Sequence, residues 1–308
     1  MSEVWNLLSS PEFYSTVLQL SVPILFAALA AFVSNKAGIL NIGIEGTMLV
    51  SSLAAAIVST AAGNPYSGVL AGMAAGILAG LFFGFAVMGL KVDHILVGIA
   101  LNILAAGLVV FVVYALTGNK SDYPSVPLPL LPIPFLSELP GIGPVLFDNL
   151  NLLAYLAFAL VFATRWFIRR TVPGLRIRAV GQNALAAESV GIRSRRVKYL
   201  ACVLTGLLAG LGGAYMSVGY MSSFNTGMIA GRGFIGIAAE AIGAGNPLWI
   251  AAFSLVFGAV NAFSLAAQTF AAIAIPYELL NTLPYLITLL GLFVFSLFRK
   301  GRKRKSPK

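Results

Sequence analysis

The sequence predicts an all-α, polytopic helical membrane protein of about nine spans (8–10), folded as a single transmembrane domain over residues 1–308. Three observations carry this expectation. Hydrophobic residues make up 59% of the chain, charged ones only 10%, and mean hydropathy is +0.92, which leaves too little polar surface for a soluble globule. Apolar runs of about 20 residues recur along the chain, the length that crosses a hydrocarbon core at about 1.5 Å per residue. The basic residues are gathered rather than scattered: nine of 20 lie between 165 and 198, and seven more between 299 and 308.

The N-terminal stretch MSEVWNLLSSPEFYS has no basic residue ahead of its first apolar run and no small-residue cleavage site after it, so no cleavable leader is expected. Spans are expected at 14–33, 43–62, 67–90 and 95–116. The third contains GVLAGMAAGILAGLFFG (68–84), whose small residues every three or four positions let helices approach closely. Lys91, Asp93 and His94 cluster in the short turn before the fourth and read as an interfacial anchor. Loop 117–148 carries seven prolines, so it should be irregular or polyproline-like rather than another span. A fifth span covers 149–168, and the polar, basic segment 169–198 follows it. The sixth, 199–219, holds the single Cys202 as a small packing residue. The seventh, 232–245, is short and Gly-rich and admits two readings, a re-entrant segment or a broken helix, buried in protein either way. Spans at 247–267 and 279–298 lead to the basic tail 299–308.

Two basic blocks flanking spans are what the positive-inside rule places in the cytoplasm. With 169–198 and 299–308 inside, the five preceding spans put the N-terminus and loop 117–148 outside. The net charge of +10 therefore calls for no nucleic acid, and neither block has the interleaved aromatics of a base-stacking surface. The stretches SNKAGILNIGIEG (34–46) and FNTGMIAGRGFIG (224–236) are alike and face opposite sides in this topology. That is how an inverted repeat of a transporter looks, and chance likeness between Gly-rich stretches accounts for it equally well.

No enzyme constellation is visible. There is no paired Cys or His spacing for a metal, and GNKS (118–121) lacks the upstream glycine of a phosphate-cradling loop. The chain is expected to bind no cofactor or metal itself, so energy must come from an ion gradient or from another subunit. Polar side chains inside the spans are the remaining candidates: Asn41, Glu45, Asn102, Glu240 and Gln268 for a substrate pathway, with Asn261, Glu278 and Asn281 in the same set. A charge at mid-membrane costs about 2.5–3.5 kcal/mol and usually faces the bundle interior. The competing role is an interhelical hydrogen bond, worth about 0.6 kcal/mol on average. Glu45 and Glu240, both in Gly-rich breaks, stand evenly between the two. The scarcity of buried carboxylates counts against an ion-coupled carrier.

One wet segment remains, AVGQNALAAESVGIRSRRVKY (179–199). Asn183 is a good N-cap, 184–190 makes a two-turn helix of about 10 Å, and Gly191 is placed to end it. A helix this short is not stable alone and should dock. Its apolar face is small for lying on lipid, and the sharper reading is a knob that fits a groove on a cytoplasmic partner. A knob entering a groove has no room for bulk, so Ala184, Ala186 and Ala187 are the expected docked face.

Here the chain resembles a known family. RAVGQNALAAESVGIRSRRVKYLACVLTGLLAGLGGAYMS (178–217) is similar to the coupling segment and following helix of ABC-importer permeases of the ribose/branched-chain-amino-acid class. GILNIGIEGTMLVSSLAAA (38–56) and GYMSSFNTGMIAGRGFIGIAAEAIGAGNPL (219–248) resemble the branch of nucleoside and simple-sugar permeases that work with basic-membrane-protein-type binding lipoproteins. The resemblance implies a type II importer fold. It implies an assembly of two permease chains, like or unlike, two ATPase chains that use the ATP, and a substrate-binding lipoprotein outside. It also implies that 183–191 is the coupling helix, with Asn183, Ala184, Ala186, Ala187, Glu188 and Gly191 at the ATPase. Nucleosides are the implied substrate; ribose or another simple sugar is the alternative, and a free-standing secondary carrier is the competing class.

Overall fold

The computed structural model describes residues 10–118, 121–132 and 149–268, and position 286. Helix α1 (Pro11–Lys36) starts where Ser10 accepts the Phe13 N–H and Pro11 occupies a position whose N–H needs no partner. Between Leu20 and Ser34 it is buried on every side, as a helix apolar all round must be. It is the central post of the bundle. After it in the chain come α2 (Ile44–Ala62), α3 (Pro65–Met88), α4 (His94–Thr117) and α5 (Leu152–Arg170). Asn64, Asp93 and Asn151 cap α3, α4 and α5 through their side chains. Then come α6 (Val172–Gln182), α7 (Ala184–Ser189), α8 (Ser194–Ala214), α9 (Arg232–Ile242) and α10 (Pro247–Ala267). A π-helical turn, Tyr215–Tyr220, extends α8.

The tightest seam joins α3 to α8. Gly72, Gly76 and Gly80 face Ala214, Gly206 and Cys202, so the two helices run antiparallel with their backbones in contact. A Cβ on Gly76 would strike the Gly206 carbonyl oxygen, and one on Gly206 would strike that of Gly76. Small residues here are a steric requirement.

The bundle has two distinct ends. At the basic end lie the last turns of α1, α3 and α5, the segment α6–α7, and the start of α8; Gly181 packs on the backbone of Lys36 and Gly38 there. At the far end, β1 (Asp122–Pro124) pairs antiparallel with β2 (Ser223–Asn225). Thr60 donates to the Pro124 carbonyl and Asn151 to that of Gly219, tying α2, the β-pair, α5 and α8 together.

Seven described helices are long and apolar enough to span a membrane: α1–α5, α8 with its π turn, and α10. They fall on seven of the nine expected spans. Over the expected segment 232–245, α9 is a helix of only 11 residues, about 16 Å against a core of about 30 Å, too short to cross by itself. The described part of the proline-rich loop, 121–132, is non-helical as expected, apart from the short β1. The expected span 279–298, with Glu278 and Asn281, and the tail 299–308 lie outside the described residues.

Candidate functional site

Segment 221–246 runs from one end of the bundle to the other in two unlike halves. Its first half is non-helical and begins at the far end, where β2 pairs with β1. Its second half is α9, which ends at the basic end: Arg165 Nη1 donates to Asn246 Oδ1 at 3.3 Å, and Gly245 lies against the Lys36 ammonium. The break is written in the backbone. Ser222, Ala230 and Gly231 have φ of 56°, 48° and 76°, and only the last is a residue that adopts the left-handed region without strain. Irregular backbone at this depth persists only when protein buries it.

Glu45 supplies the decisive contact. Its Oε1 accepts the Gly231 N–H at 2.8 Å and its Oε2 accepts the Gly233 N–H at 2.7 Å. The carboxylate thus meets the first orphan donors of α9 and the positive end of its dipole. Asn102 supports the same corner from α4: Oδ1 accepts from Gly46 N–H at 2.8 Å, and Nδ2 donates to the Ile42 carbonyl at 3.0 Å. Asn41 Oδ1 accepts from Gly43 N–H at 2.9 Å. The structure therefore brings Asn41, Glu45 and Asn102 together at the start of α2, bonded to backbone. Glu240 is separate, buried nearer the basic end, where it accepts a hydrogen bond from Asn35 Nδ2.

Gln268, the fifth sequence candidate, sits elsewhere, on a cleft at the far end. With Leu20, Tyr220, Arg232, Asn261 and Ser264 it lines a volume of about 340 Å³ between α1, the end of α8, the start of α9 and α10. The π turn sets its own last residue, Tyr220, at this wall, while Tyr215 is buried and donates to the Gln19 carbonyl. Tyr220, Arg232 and Ser264 were not singled out from sequence. A signal for the α10 wall does exist: polar residues at 261, 264 and 268 share one helical face of an otherwise apolar run.

The cytoplasmic-type segment forms as expected and then presents an unexpected face. Asn183 Oδ1 accepts the Ala186 N–H at 3.0 Å, and α7 ends at Gly191 with φ of 84°. Ser194 donates to Glu188 and fastens α7 to the start of α8. The expected docked face, however, is only partly outward. Ala187 is 4% exposed and packs within the chain and Ala184 is half-buried, whereas Ala186 is exposed beside Leu185 (78%) and Val190 (74%), the two apolar side chains that stand out. A helix of six residues must stow one side against α6 and α8, and the small side is the one that fits.

An apolar multi-helix bundle with one helical elbow at its basic end is the setting in which sequence likeness becomes decisive. Residues 13–294 match the family described as branched-chain amino acid transport system / permease component. The chain belongs to this family. The permease is 32% identical to the guanosine ABC transporter permease protein NupQ of Bacillus subtilis over 89% of both chains. It is 30% identical to the nucleoside ABC transporter permease protein NupC of Lactococcus lactis over 91% of both. It is also 30% identical to the putative glucose ABC transporter permease protein TsgC13 of Haloferax volcanii, over 83% of the permease and 77% of that protein. Family and helices together make it a multi-pass membrane protein.

Proposed function

We propose that this permease is the translocating subunit of an ATP-driven importer that carries nucleosides across the cytoplasmic membrane. The observation that carries this is the full-length similarity to guanosine and nucleoside permeases, 30–32% identity over about nine-tenths of each chain. In this reading the chain hydrolyses nothing. ATP is used by a separate ATPase, which seats α7 and moves it. A second permease, like or unlike, completes the path, and a lipoprotein outside delivers the substrate.

The basic end faces the cytoplasm and the far end faces outward, so the N-terminus is outside and the tail 299–308 inside. Counting the broken segment 221–246 as a crossing and adding 279–298 gives nine. Opposed helix directions support an inverted repeat: α1 descends toward the basic end before a Gly-rich break and α2, whereas α8 ascends to the far end before its break and α9. Glu45, Asn41 and Asn102 then shape the path by holding its backbone, and Glu240 by joining α9 to Asn35 of α1, rather than by touching substrate.

Similarity to the putative glucose permease supports a second reading, import of a simple sugar. Competition separates them: uptake of radiolabelled guanosine by cells expressing the whole transporter should fall with excess unlabelled nucleoside and not with ribose or glucose. Inhibition by sugar alone would favour the second.

A further inference from the structure

The wall of the far-end cleft has a feature that helix packing leaves unexplained. Ser264 is only 4% exposed, yet its hydroxyl has no hydrogen-bond partner among the described residues. A serine in an apolar helix ordinarily bonds back to the carbonyl four residues earlier, as Ser254 does in this same helix, to Ile250 at 2.9 Å. One turn before Ser264, Asn261 donates a single amide hydrogen to the Phe257 carbonyl at 2.9 Å, which leaves its Oδ1 and second N–H to a ligand. Both line the cleft together with Leu20 and Tyr220.

We infer that this cleft is a substrate-receiving site for an uncharged ligand that joins a flat ring to hydroxyl groups, in which Ser264 and Asn261 bond the hydroxyls and Tyr220 stacks on the ring. A nucleoside has this chemistry, and that identification rests on the nucleoside reading above. The volume, about 340 Å³, falls within the range of small-molecule sites. Charge argues for neutrality. No carboxylate is among the described lining residues, so a cation finds no partner. Arg232 Nη1 donates to the carbonyls of Met228 and Ile229 at 2.9 and 3.2 Å, and the positive charge of the guanidinium is offset by the Glu45 carboxylate. The start of α9, where an anion would otherwise bind, is already filled by Glu45. A phosphate is therefore a poor fit where a sugar hydroxyl is a good one.

Photolabelling tests the site directly. The permease–ATPase complex in nanodiscs is irradiated with 8-azidoguanosine and the labelled peptides are mapped. Label is expected on the peptides carrying Tyr220 and 261–268, displaced by guanosine and not by guanosine 5′-monophosphate. Loss of one neutral hydrogen bond in Ser264→Ala should lower labelling about three- to tenfold. Tyr220→Leu should lower it similarly, and Tyr220→Phe should retain it; co-purification with the ATPase confirms that each variant is folded. Label mapping elsewhere, displacement by the monophosphate as well as by guanosine, or unchanged labelling in Ser264→Ala would overturn the inference. ATP-driven guanosine uptake by the wild-type transporter is measured alongside. Uptake with label elsewhere removes only the receiving site, whereas absence of uptake removes the nucleoside reading.

Discussion

Glu45 holds a helix that could not otherwise start where it does. In Glu45→Ala the N–H groups of Gly231 and Gly233 lose their acceptors, and each unsatisfied buried donor costs about 1–3 kcal/mol. A lower thermal midpoint and an uptake loss of more than about tenfold are expected, with Glu45→Gln, which keeps one acceptor oxygen, between Ala and wild type. A midpoint in Glu45→Ala equal to wild type would contradict this role. That Asn41, Glu45 and Asn102 would be paired was legible in the sequence, because a polar group in an apolar segment needs a partner. What each pairs with was not legible, since a bond to backbone and a bond to substrate call for the same side chains. Ser264 could be noticed only through the face it shares with Asn261 and Gln268, as single serines are ordinary in spans and most bond to their own helix.

Among the elements, α7 shows how a short helix defeats periodicity. Its caps, Asn183 and Gly191, are readable, but six residues make too few turns for an apolar face to declare itself. Leu185 and Val190 are exposed where Ala187 is buried, so they rather than Ala187 are expected to meet an ATPase. Leu185→Arg or Val190→Arg should abolish ATPase co-purification while leaving the permease's thermal midpoint unchanged. Ala187→Arg should instead lower that midpoint, because it forces a charge into a packed interior. The reverse pattern would return the docked face to the alanines. The α3–α8 seam makes a second claim at this scale: Gly76→Val or Gly206→Val sets a branched side chain against facing backbone. Either should prevent accumulation of folded protein in the membrane, whereas Gly107→Val, which meets open space, should not. The seam was visible as Gly at every fourth position. α9 was half visible: the Gly-rich sequence marked a break, but the carboxylate that caps it comes from a residue 186 positions away.

For the whole molecule, the fold class followed from composition and run length, because a bilayer imposes one length scale on every span. The orientation proposed from the basic blocks is tested by labelling Ser189→Cys in a Cys202→Ala background; Ser189 is exposed at the elbow, whereas Ser194 is buried. An impermeant thiol reagent should reach it only from the cytoplasmic side, and labelling of intact cells would contradict the topology. Nucleoside import by this permease, with energy received through α7, is the proposal on which the rest depends. Proteoliposomes holding the permease, its partner permease and ATPase, supplied with the binding lipoprotein and radiolabelled guanosine, test it most directly. The account predicts guanosine accumulation that requires ATP and is lost with Leu185→Arg. Guanosine accumulation that proceeds without ATP, or that survives Leu185→Arg at the wild-type rate, would contradict it.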